Sequence, residues 1–161
     1  MSIDFSDIEF KEVWQDQKSM PSSIDFWDSI FEQSTFNTQK RSKQVVYHVF
    51  SGKEIIGLST AEEVALHNFE NNTFFNFRML IHPNYRIPGL ADTLAVKTLN
   101  FLEELHLNIE TSAIGVITLI ENKRILENKT TVFYPATNLM FAGYTNKGAQ
   151  IRLKYFQGAR I

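Results

Sequence analysis

The chain of 161 residues contains no cysteine, few prolines and glycines, and no long apolar run. Without cysteine it forms no disulfide, holds no metal through a thiolate and has no cysteine nucleophile, which is compatible with a reducing compartment. Its longest apolar run, 113–120, is much shorter than the roughly 20 residues that a membrane helix needs. Acidic residues interrupt the N-terminal segment, so no secretory signal is expected. We therefore expect a soluble cytoplasmic protein without a membrane partner.

The residues that are present suffice for one folded domain. Hydrophobic residues make up 43% of the chain and include 14 phenylalanines, and a chain of this length buries about two-thirds of its unfolded surface. The net charge is −2, so the composition gives no reason to expect a nucleic-acid partner. Acidic residues predominate over 1–40 and basic residues over 122–161. A phosphate-bearing ligand would favour the basic part and a cationic ligand the acidic part, although two solvated surfaces explain the difference equally well.

The spacing of apolar residues predicts an α/β fold with a mixed sheet. Helical spacing occurs over 23–34 and 90–105, and a mixed segment over 122–134 is expected to hold a third helix. Strand patterns occupy 44–50, 54–66, 73–81, 113–120, 137–145 and 149–156. The predicted order is therefore α-β-β-β-α-β-α-β-β. Because the helix over 90–105 connects two strands as a crossover, those two strands should be parallel.

The segment between the third predicted strand and the long helix is the most informative part of the chain. It reads Ile81-His82-Pro83-Asn84-Tyr85-Arg86-Ile87-Pro88-Gly89-Leu90-Ala91. The N–H groups at a helix N-terminus have no intrahelical acceptors and the helix dipole adds partial positive charge there, so this arrangement can bind an anion. The spacing fits neither the GxxxxGK[ST] loop nor the GxGxxG fingerprint, which argues against both nucleotide-binding loops.

This segment resembles the acyl-CoA pyrophosphate loop of the GNAT superfamily of N-acetyltransferases, whose motif is roughly V-x-P-x-[YF]-R-x-x-G-x-[GA]. The matching positions are Ile81, Pro83, Tyr85, Arg86, Gly89 and Ala91. The predicted strand order, from about residue 40 to the C-terminus, is similar to that of the same family. The resemblance implies one GNAT-like acyltransferase domain over 1–161. Within it, 1–40 would be an N-terminal helical region on the acceptor side, and 41–161 the cofactor-binding core.

The resemblance also implies acetyl-CoA as the cosubstrate, without a metal. By position in the motif, the cofactor-binding residues would be Leu80, Ile81, Arg86, Ile87, Gly89, Leu90 and Ala91. The backbone of Leu80 and Ile81 would bind the pantetheine, and the other five residues would form the phosphate cradle. Gly89 and Ala91 need to be small because a larger side chain would keep the backbone away from the phosphate oxygens. Pro88 departs from the motif, which usually has a polar or basic residue there, and it has no N–H to offer.

The implied reaction moves an acetyl group from the CoA thioester to a primary amine of a small molecule or peptide, by direct attack. In many family members the proton for the leaving thiolate comes from a Tyr near the end of the last helix, in the pattern Tyr-x-x-x-Gly-Phe. Tyr134 matches this position, and Asn138 replaces the glycine, as an Asn can where the backbone is left-handed. A phenol with a pKa of about 10 suits this role. The alternative is a core tyrosine.

Other polar positions are less well determined by the resemblance. The family often has an Asn after the buried strand that contacts the pantetheine, and Asn122 is the preferred match, with Asn128 as the alternative. No general base is assigned. Glu62, Glu63 and Glu121 are candidates, as is a chain of waters without a dedicated residue.

Two other functions stay open from the sequence. The same fold can act as a weak or inactive acyl-CoA-binding sensor or interaction module, which the departure at Pro88 favours. It can also acylate oxygen or transfer a longer acyl chain.

The acceptor and the oligomeric state are also open. Bulky aromatic residues near acidic ones suit a cationic acceptor with an apolar stem, although core packing explains them equally well. They are Trp14, Phe26, Trp27 and Phe31. A homodimer is compatible with the resemblance, because final-hairpin strands often pair between subunits in this fold.

Overall fold

The computed structural model describes residues 4–33, 35–128 and 130–161. The strands are β1 (Ile8–Glu12), β2 (Val45–Ser51), β3 (Glu54–Ala65), β4 (Thr73–Ile81), β5 (Gly115–Ile120), β6 (Met140–Tyr144) and β7 (Gln150–Tyr155). The helices are α1 (Met20–Ile30), α2 (Thr38–Ser42), α3 (Leu90–Leu107) and α4 (Lys123–Asn128). The strands form one seven-stranded sheet in the order β1-β2-β3-β4-β5-β7-β6, which confirms the predicted α/β class.

The sheet is mixed, as the crossover helix predicts. β4 and β5 are parallel, with Phe75 opposite Val116 and Asn76 opposite Ile117, and α3 is the connection that a parallel pair requires. The pairs β1–β2, β2–β3, β5–β7 and β6–β7 are antiparallel. The last of these is the predicted C-terminal hairpin.

Two elements of the fold were not predicted, β1 and α2. β1 has only five residues and carries three charged side chains; its pairing with β2, from Ile8 opposite Ser51 to Glu12 opposite Tyr47, makes it a strand. α2 also has five residues, too few to show a helical period. The first predicted helix begins earlier than expected, at Met20, and ends at Ile30. Its predicted end at Ser34 lies outside the described residues.

The chain divides into two compact units, each built from two stretches of sequence. The first unit comprises the residues up to Ala61 together with Arg78–Thr98, and the second comprises Glu62–Phe77 and Leu99–Ile161. β3, β4 and α3 each contribute residues to both units.

Each unit has its own apolar packing. In the first unit, one cluster contains Val13, Phe26, Trp27, Val45 and Leu58, and another contains Val49, Ile56, Ile81, Leu90 and Leu94. In the second unit, the cluster contains Phe74, Ile114, Ile117 and Leu153. The stripe predicted on α3 is buried at six of its seven positions, Leu94, Ala95, Thr98, Leu99, Leu102 and Leu105. The seventh, Ala91, is half-buried.

Gly115 is a position in the second unit where the sheet leaves no room for a side chain. It begins β5 opposite Tyr155, and a Cβ there would overlap the carbonyl oxygen of Lys154. Because the obstacle is backbone, a change of rotamer cannot relieve it. We expect Gly115→Ala to lower the free energy of unfolding by about 2–3 kcal/mol, measured by urea denaturation.

The control for this prediction is Gly148→Ala, in the turn between β6 and β7. A Cβ on Gly148 would meet no described atom within 4 Å, so the variant should lose only about 1 kcal/mol, from its left-handed backbone. If Gly115→Ala cost no more than Gly148→Ala, the close approach of Lys154 would not limit this position.

A buried histidine in the first unit makes stability depend on pH. His48 of β2 is 2% exposed, and its Nε2 lies 2.7 Å from the Oγ of Ser23 in α1. Burial, assisted by the positive charge of Lys11 and opposed by Asp16, lowers the pKa of His48 from 6.5 to about 4. Between these pH values the unfolded state binds more protons than the folded state, so stability is lost as the pH falls through this window.

We expect His48 to account for a loss of about 2–3 kcal/mol in the free energy of unfolding between about pH 7 and pH 4.5. Urea titrations at both pH values should show a smaller loss for His48→Gln than for the wild type. Equal losses in the wild type and His48→Gln would contradict the assignment.

Candidate functional site

The predicted cofactor segment lies within the first unit, where it joins β4 to α3. β4 ends at Ile81, a 3-10 turn spans Pro83–Tyr85, and α3 begins at Leu90. The N–H of His82 donates to the carbonyl of Ile56 at 2.8 Å, which attaches the start of the segment to β3. The segment is thus held by the sheet at one end and by the longest helix at the other.

Two side chains hold the turn that follows β4. The ring of His82 caps it, because Nδ1 accepts a hydrogen bond from the N–H of Asn84 at 3.1 Å. The hydroxyl of Tyr85 donates to Oε2 of Glu54 at 3.1 Å, and this bond raises the pKa of Tyr85. The motif residue Tyr85 therefore attaches the loop to β3.

Arg86 and Leu90, two of the predicted cradle residues, have opposite environments. Arg86 is exposed, and its Nε donates to the carbonyl of Ile81 at 3.4 Å. Leu90 is fully buried beside Leu94, and half-buried Ile87 packs against the same cluster. The buried leucine anchors the first turn of α3, while the exposed guanidinium is the type of group that binds phosphate oxygens.

Gly89 has the conformation and the open surroundings that a phosphate cradle requires. Its φ is +82°, and a Cβ added to it would meet no described atom within 4 Å. Its carbonyl accepts from the N–H of Thr93 at 3.0 Å and from the hydroxyl of Thr93 at 2.8 Å, so α3 starts directly after it. The first N–H groups of a helix have no intrahelical acceptor, and here the adjoining space is open. These residues fit a pyrophosphate at the helix N-terminus.

Two residues of the same segment weaken its attraction for phosphate. Pro88 has no N–H and removes one donor before the helix. Asp92 is exposed in the first turn of α3, where its charge favours the helix dipole but repels an anionic ligand. The loop is therefore expected to bind pyrophosphate less tightly than a loop with donors at both positions.

Gly57 of β3 lies against two of the predicted cofactor-binding residues, and the sequence interpretation did not include it. A Cβ on Gly57 would lie 3.1 Å from the carbonyl oxygen of Leu80 and 3.3 Å from Cγ1 of Ile81. β3 thus approaches the end of β4 closely, at the two residues whose backbone is predicted to bind pantetheine. A glycine within a strand pattern is a recognised sign of such an approach, so the sequence contained this signal.

Tyr134, the predicted proton donor, lies in the second unit in a tight turn before β6. Its N–H donates to the carbonyl of Leu139 at 3.0 Å, and its carbonyl accepts from the N–H of Asn138 at 2.7 Å. The φ of Asn138 is +59°, which confirms the left-handed backbone inferred from Asn in place of glycine. α4 ends earlier, at Asn128, so Tyr134 follows a loop and does not close the last helix.

The hydroxyl of Tyr134 belongs to a buried polar network of the second unit. It donates to Oε1 of Gln150 at 3.3 Å, and the Nε of Arg152 donates to the same oxygen at 2.7 Å. The Arg152 guanidinium stacks on the Tyr134 ring at 3.9 Å and donates to the carbonyl of Val132 at 2.7 Å. Burial raises the pKa of Tyr134, and the charge of Arg152 opposes this rise. The phenol therefore keeps its proton at neutral pH.

Both candidate pantetheine asparagines lie at α4 in the second unit. Asn122 caps the helix, because its Oδ1 accepts from the N–H of Arg124 and its carbonyl accepts from the N–H of Leu126, both at 3.0 Å. Asn128 is the last residue of α4, and its Nδ2 donates to the carbonyl of Arg124 at 3.0 Å. Both side chains thus have structural bonds, and a cofactor contact stays a prediction for each.

The carboxylates considered as general bases all lie in the second unit. Glu63 is exposed and accepts a hydrogen bond from the hydroxyl of Thr111. Glu62 is half-buried on β3, and Glu121 is exposed directly after β5. Their surroundings do not distinguish one of them as a base, so the role is left unassigned.

A cavity of about 180 Å³ lies in the first unit. Its lining comes from α1, the segment after α1, α2, β3 and β4. It consists of Trp27, Phe31, Phe36, Arg41, Leu58, Thr60, Arg78, Met79 and Leu80. Trp27 and Phe31 were among the aromatic residues considered for acceptor binding. The polar members Arg41, Thr60 and Arg78 were not, because elements distant in sequence bring them together.

Within residues 4–33, 35–128 and 130–161, no group of three or more His, Asp or Glu side chains is arranged to hold a metal ion. Over the same residues, no helix combines the length and apolar character needed to cross a bilayer.

Comparison with known proteins identifies the fold. No protein-family model matches the sequence, and no curated protein sequence matches it either. Solved structures do match this chain. A GNAT-family acetyltransferase from Streptococcus pneumoniae has a TM-score of 0.57 and 9% identity, covering 92% of this chain and 99% of the other. NAA60 of Arabidopsis thaliana, in complex with acetyl-CoA, has a TM-score of 0.60 and 14% identity, covering 94% and 99%. The ribosomal-protein-S18-alanine N-acetyltransferase of Escherichia coli has a TM-score of 0.61 and 10% identity, covering 95% and 96%.

The chain therefore has the fold of the GNAT N-acetyltransferases, as the motif and the strand order predicted. The similarity extends over more than 90% of the chain in each of the three comparisons. At identities this low the similarity establishes the fold alone, so the activity has to be argued from the residues of this chain.

Proposed function

We propose that the protein is an acetyl-CoA-dependent N-acetyltransferase that transfers the acetyl group to a primary amine of a small molecule or peptide. The observation that carries the proposal is the open first turn of α3 after Gly89, directly downstream of β4. A Cβ on Gly89 would point into space that no described atom occupies within 4 Å. The acetyl-CoA complex of NAA60, which has the same fold, supports the choice of cofactor.

In this proposal most of the cofactor contacts come from one continuous segment of the first unit. The backbone of Leu80 and Ile81 binds the pantetheine, and Gly57 keeps the neighbouring strand close to them. The pyrophosphate binds at the N-terminus of α3, where Leu90 anchors the helix. Arg86, Ile87, Gly89 and Ala91 complete the cradle. Asn122, or alternatively Asn128, provides an amide for the pantetheine.

The chemistry assigned to the protein is orientation of the two substrates and delivery of one proton. A neutral amine attacks the thioester carbonyl, the C–S bond breaks, and the thiolate leaves with a proton. Tyr134 is the proposed donor of that proton. Its raised pKa keeps the phenol protonated at neutral pH, and Gln150 and Arg152 fix the position of its ring. The step requires no metal.

A second candidate function is an acyl-CoA-binding module with little or no transferase activity. Pro88 and Asp92 favour it because one removes an N–H donor and the other adds a negative charge beside the phosphate position. β4 also carries no carboxylate that could act as a base at any of its positions, all of which the structure describes. In this case the protein would bind acetyl-CoA without releasing free CoA.

The test combines cofactor binding with product formation. Acetyl-CoA at 100 times its dissociation constant should stabilise the fold by about 2.7 kcal/mol, which raises the unfolding midpoint by about 5–10 °C at this chain length. Release of free CoA thiol with a panel of primary amines should then identify a substrate. A midpoint shift without thiol release supports the binding module. No shift at millimolar acetyl-CoA contradicts both functions.

A further inference from the structure

The cavity of the first unit contains a buried polar group without a partner. Thr60 of β3 is 1% exposed, and its hydroxyl oxygen has no hydrogen-bond partner among the described residues. Thr60 lines the cavity. Burying a hydroxyl costs free energy unless it is hydrogen-bonded. A ligand that donates to this oxygen or accepts from its O–H would remove that cost.

The charged residues of the lining are two arginines. Arg41 and Arg78 line the cavity, and no carboxylate of the described residues does. The guanidinium of Arg41 stacks on the ring of Phe36 at 4.2 Å. Stacking uses the face of the guanidinium, whereas its N–H groups lie in its plane and match the geometry of a carboxylate. The two arginines favour an anionic group on the ligand, whereas the acidic N-terminal sequence suggested a cationic acceptor.

The rest of the lining is apolar and the space is small. Rings of Trp27 and Phe36 meet edge to face at 5.5 Å, and Phe31 and Met79 are 37% and 39% exposed, so the cavity is accessible from solvent. A volume of about 180 Å³ is below the roughly 300 Å³ at which pockets for drug-sized ligands begin. The cavity thus suits one amino-acid-sized molecule and not a longer peptide.

We propose that this cavity binds the acceptor, and that the acceptor is a free α-amino acid with an apolar side chain. The inference rests on the proposed function, because it names the amine that would be acetylated. The carboxylate is recognised by Arg41 and Arg78, the apolar side chain lies against Trp27 and Phe36, and Thr60 hydrogen-bonds to a polar group of the ligand. Leu80 lines the cavity and is also one of the two residues proposed to bind pantetheine.

The reaction that follows is balanced by the two substrates alone. The neutral α-amino nitrogen forms a bond to the acetyl carbonyl carbon, and the bond from that carbon to the CoA sulfur breaks. The nitrogen loses one proton and the departing sulfur gains one. The products are an N-acetyl amino acid and free CoA.

The first experiment measures binding to the cavity without acetyl-CoA, so that it does not depend on the cofactor. Isothermal titration would compare L-phenylalanine, L-leucine and L-methionine with 2-phenylethylamine, which has the ring and the amine of phenylalanine but no carboxylate. We expect at least one amino acid to bind, and 2-phenylethylamine to bind at least ten-fold more weakly than L-phenylalanine if phenylalanine is the ligand. Binding of 2-phenylethylamine as tight as that of all three amino acids, or no binding by the amino acids, would overturn the proposal.

Variants of cavity residues test whether the amino acid binds in this cavity. Thr60→Val keeps the shape and removes the hydroxyl, so we expect at least a ten-fold loss of amino-acid affinity together with an unchanged or raised unfolding midpoint. Arg41→Gln should also weaken binding at least ten-fold. Thr73→Val, on β4 outside the cavity lining, should bind as the wild type does. Wild-type affinity in both cavity variants would overturn the assignment to this cavity.

A second measurement separates the inference from the proposed function. Thiol release from acetyl-CoA is recorded with the bound amino acid and with a tripeptide that begins with the same residue. Faster release with the free amino acid supports the acceptor role, and faster release with the peptide overturns it. If acetyl-CoA shifts the unfolding midpoint but no amino acid binds, the inference fails while cofactor binding stands. If amino acids bind but acetyl-CoA does not, the proposed function fails, and the acceptor role fails with it.

Discussion

Replacing Gly89 by glutamate is expected to weaken acetyl-CoA binding strongly. Gly89 stands immediately before α3, and a Cβ at this position would have no described atom within 4 Å. In the variant a side chain and a negative charge would enter the space proposed for the pyrophosphate, and like charges at close range repel strongly. We expect at least a 100-fold weaker affinity, which corresponds to about 2.7 kcal/mol.

Thermal unfolding with and without acetyl-CoA measures this effect directly. At a ligand concentration of 100 times the wild-type dissociation constant, the wild type gains about 2.7 kcal/mol, whereas a variant with 100-fold weaker affinity gains only about 0.4 kcal/mol. The matched control is Gly52→Glu. Gly52 also has a positive φ, +62°, and open surroundings, but it lies in the β2–β3 turn.

Both glycine variants place a side chain on a residue with positive φ, so the cost in backbone strain is similar and the main difference is their position. Each forces a left-handed conformation on a residue with a side chain, so each should lose about 1–2 kcal/mol of stability in the absence of ligand. Gly52→Glu should keep the full acetyl-CoA shift. A full shift in Gly89→Glu would show that the cofactor does not bind at the N-terminus of α3.

Replacing Tyr134 by phenylalanine is expected to lower kcat by about 10²- to 10⁴-fold. The phenylalanine ring keeps the stacking with Arg152, which lies 3.9 Å from the Tyr134 ring, but it has no proton to deliver to the leaving thiolate. Because the pKa of Tyr134 is raised, the wild-type rate should not fall through deprotonation of this group until the pH exceeds its ordinary value of about 10. KM for acetyl-CoA should change much less than kcat.

The measurement is steady-state thiol release at saturating acceptor, with Tyr155→Phe as the control. Tyr155 is an exposed tyrosine of β7 in the same unit, and its loss should leave kcat unchanged. The variant Tyr134→Phe also loses the hydrogen bond to Gln150, so its unfolding free energy is measured in parallel. Reduced stability with a wild-type kcat would show that Tyr134 is a core residue of the turn and not the proton donor.

Predicted features that have a local physical cause are confirmed by the structure. The amphipathic stripe of α3 follows from helical spacing within one segment, and its residues Leu94, Leu99 and Leu102 are buried. The left-handed residue after Tyr134 follows from the tolerance of Asn for that backbone, and Asn138 adopts it. The parallel pairing of β4 with β5 follows from the length of the connection between them.

The elements that were not predicted are too short to have a pattern. β1 and α2 have five residues each, less than the window in which a period can be counted. β1 is a strand because β2 offers it a partner, and that partner is more than thirty residues away in the sequence. A strand of this kind is determined by pairing and not by its own composition.

The fold class, the loop from Ile81 to Ala91 and the helix that follows it could be predicted from the sequence. Glycine conformation, the properties of proline and apolar periodicity act between near neighbours. The residues that surround these groups come together only when the chain folds. It brought Gln150 and Arg152 to Tyr134, and Arg41 and Thr60 to one cavity. Contacts of this kind depend on strand register and on the packing of helices against the sheet. Both are set by side chains distant in sequence that compete to bury apolar surface, and no local pattern records the outcome.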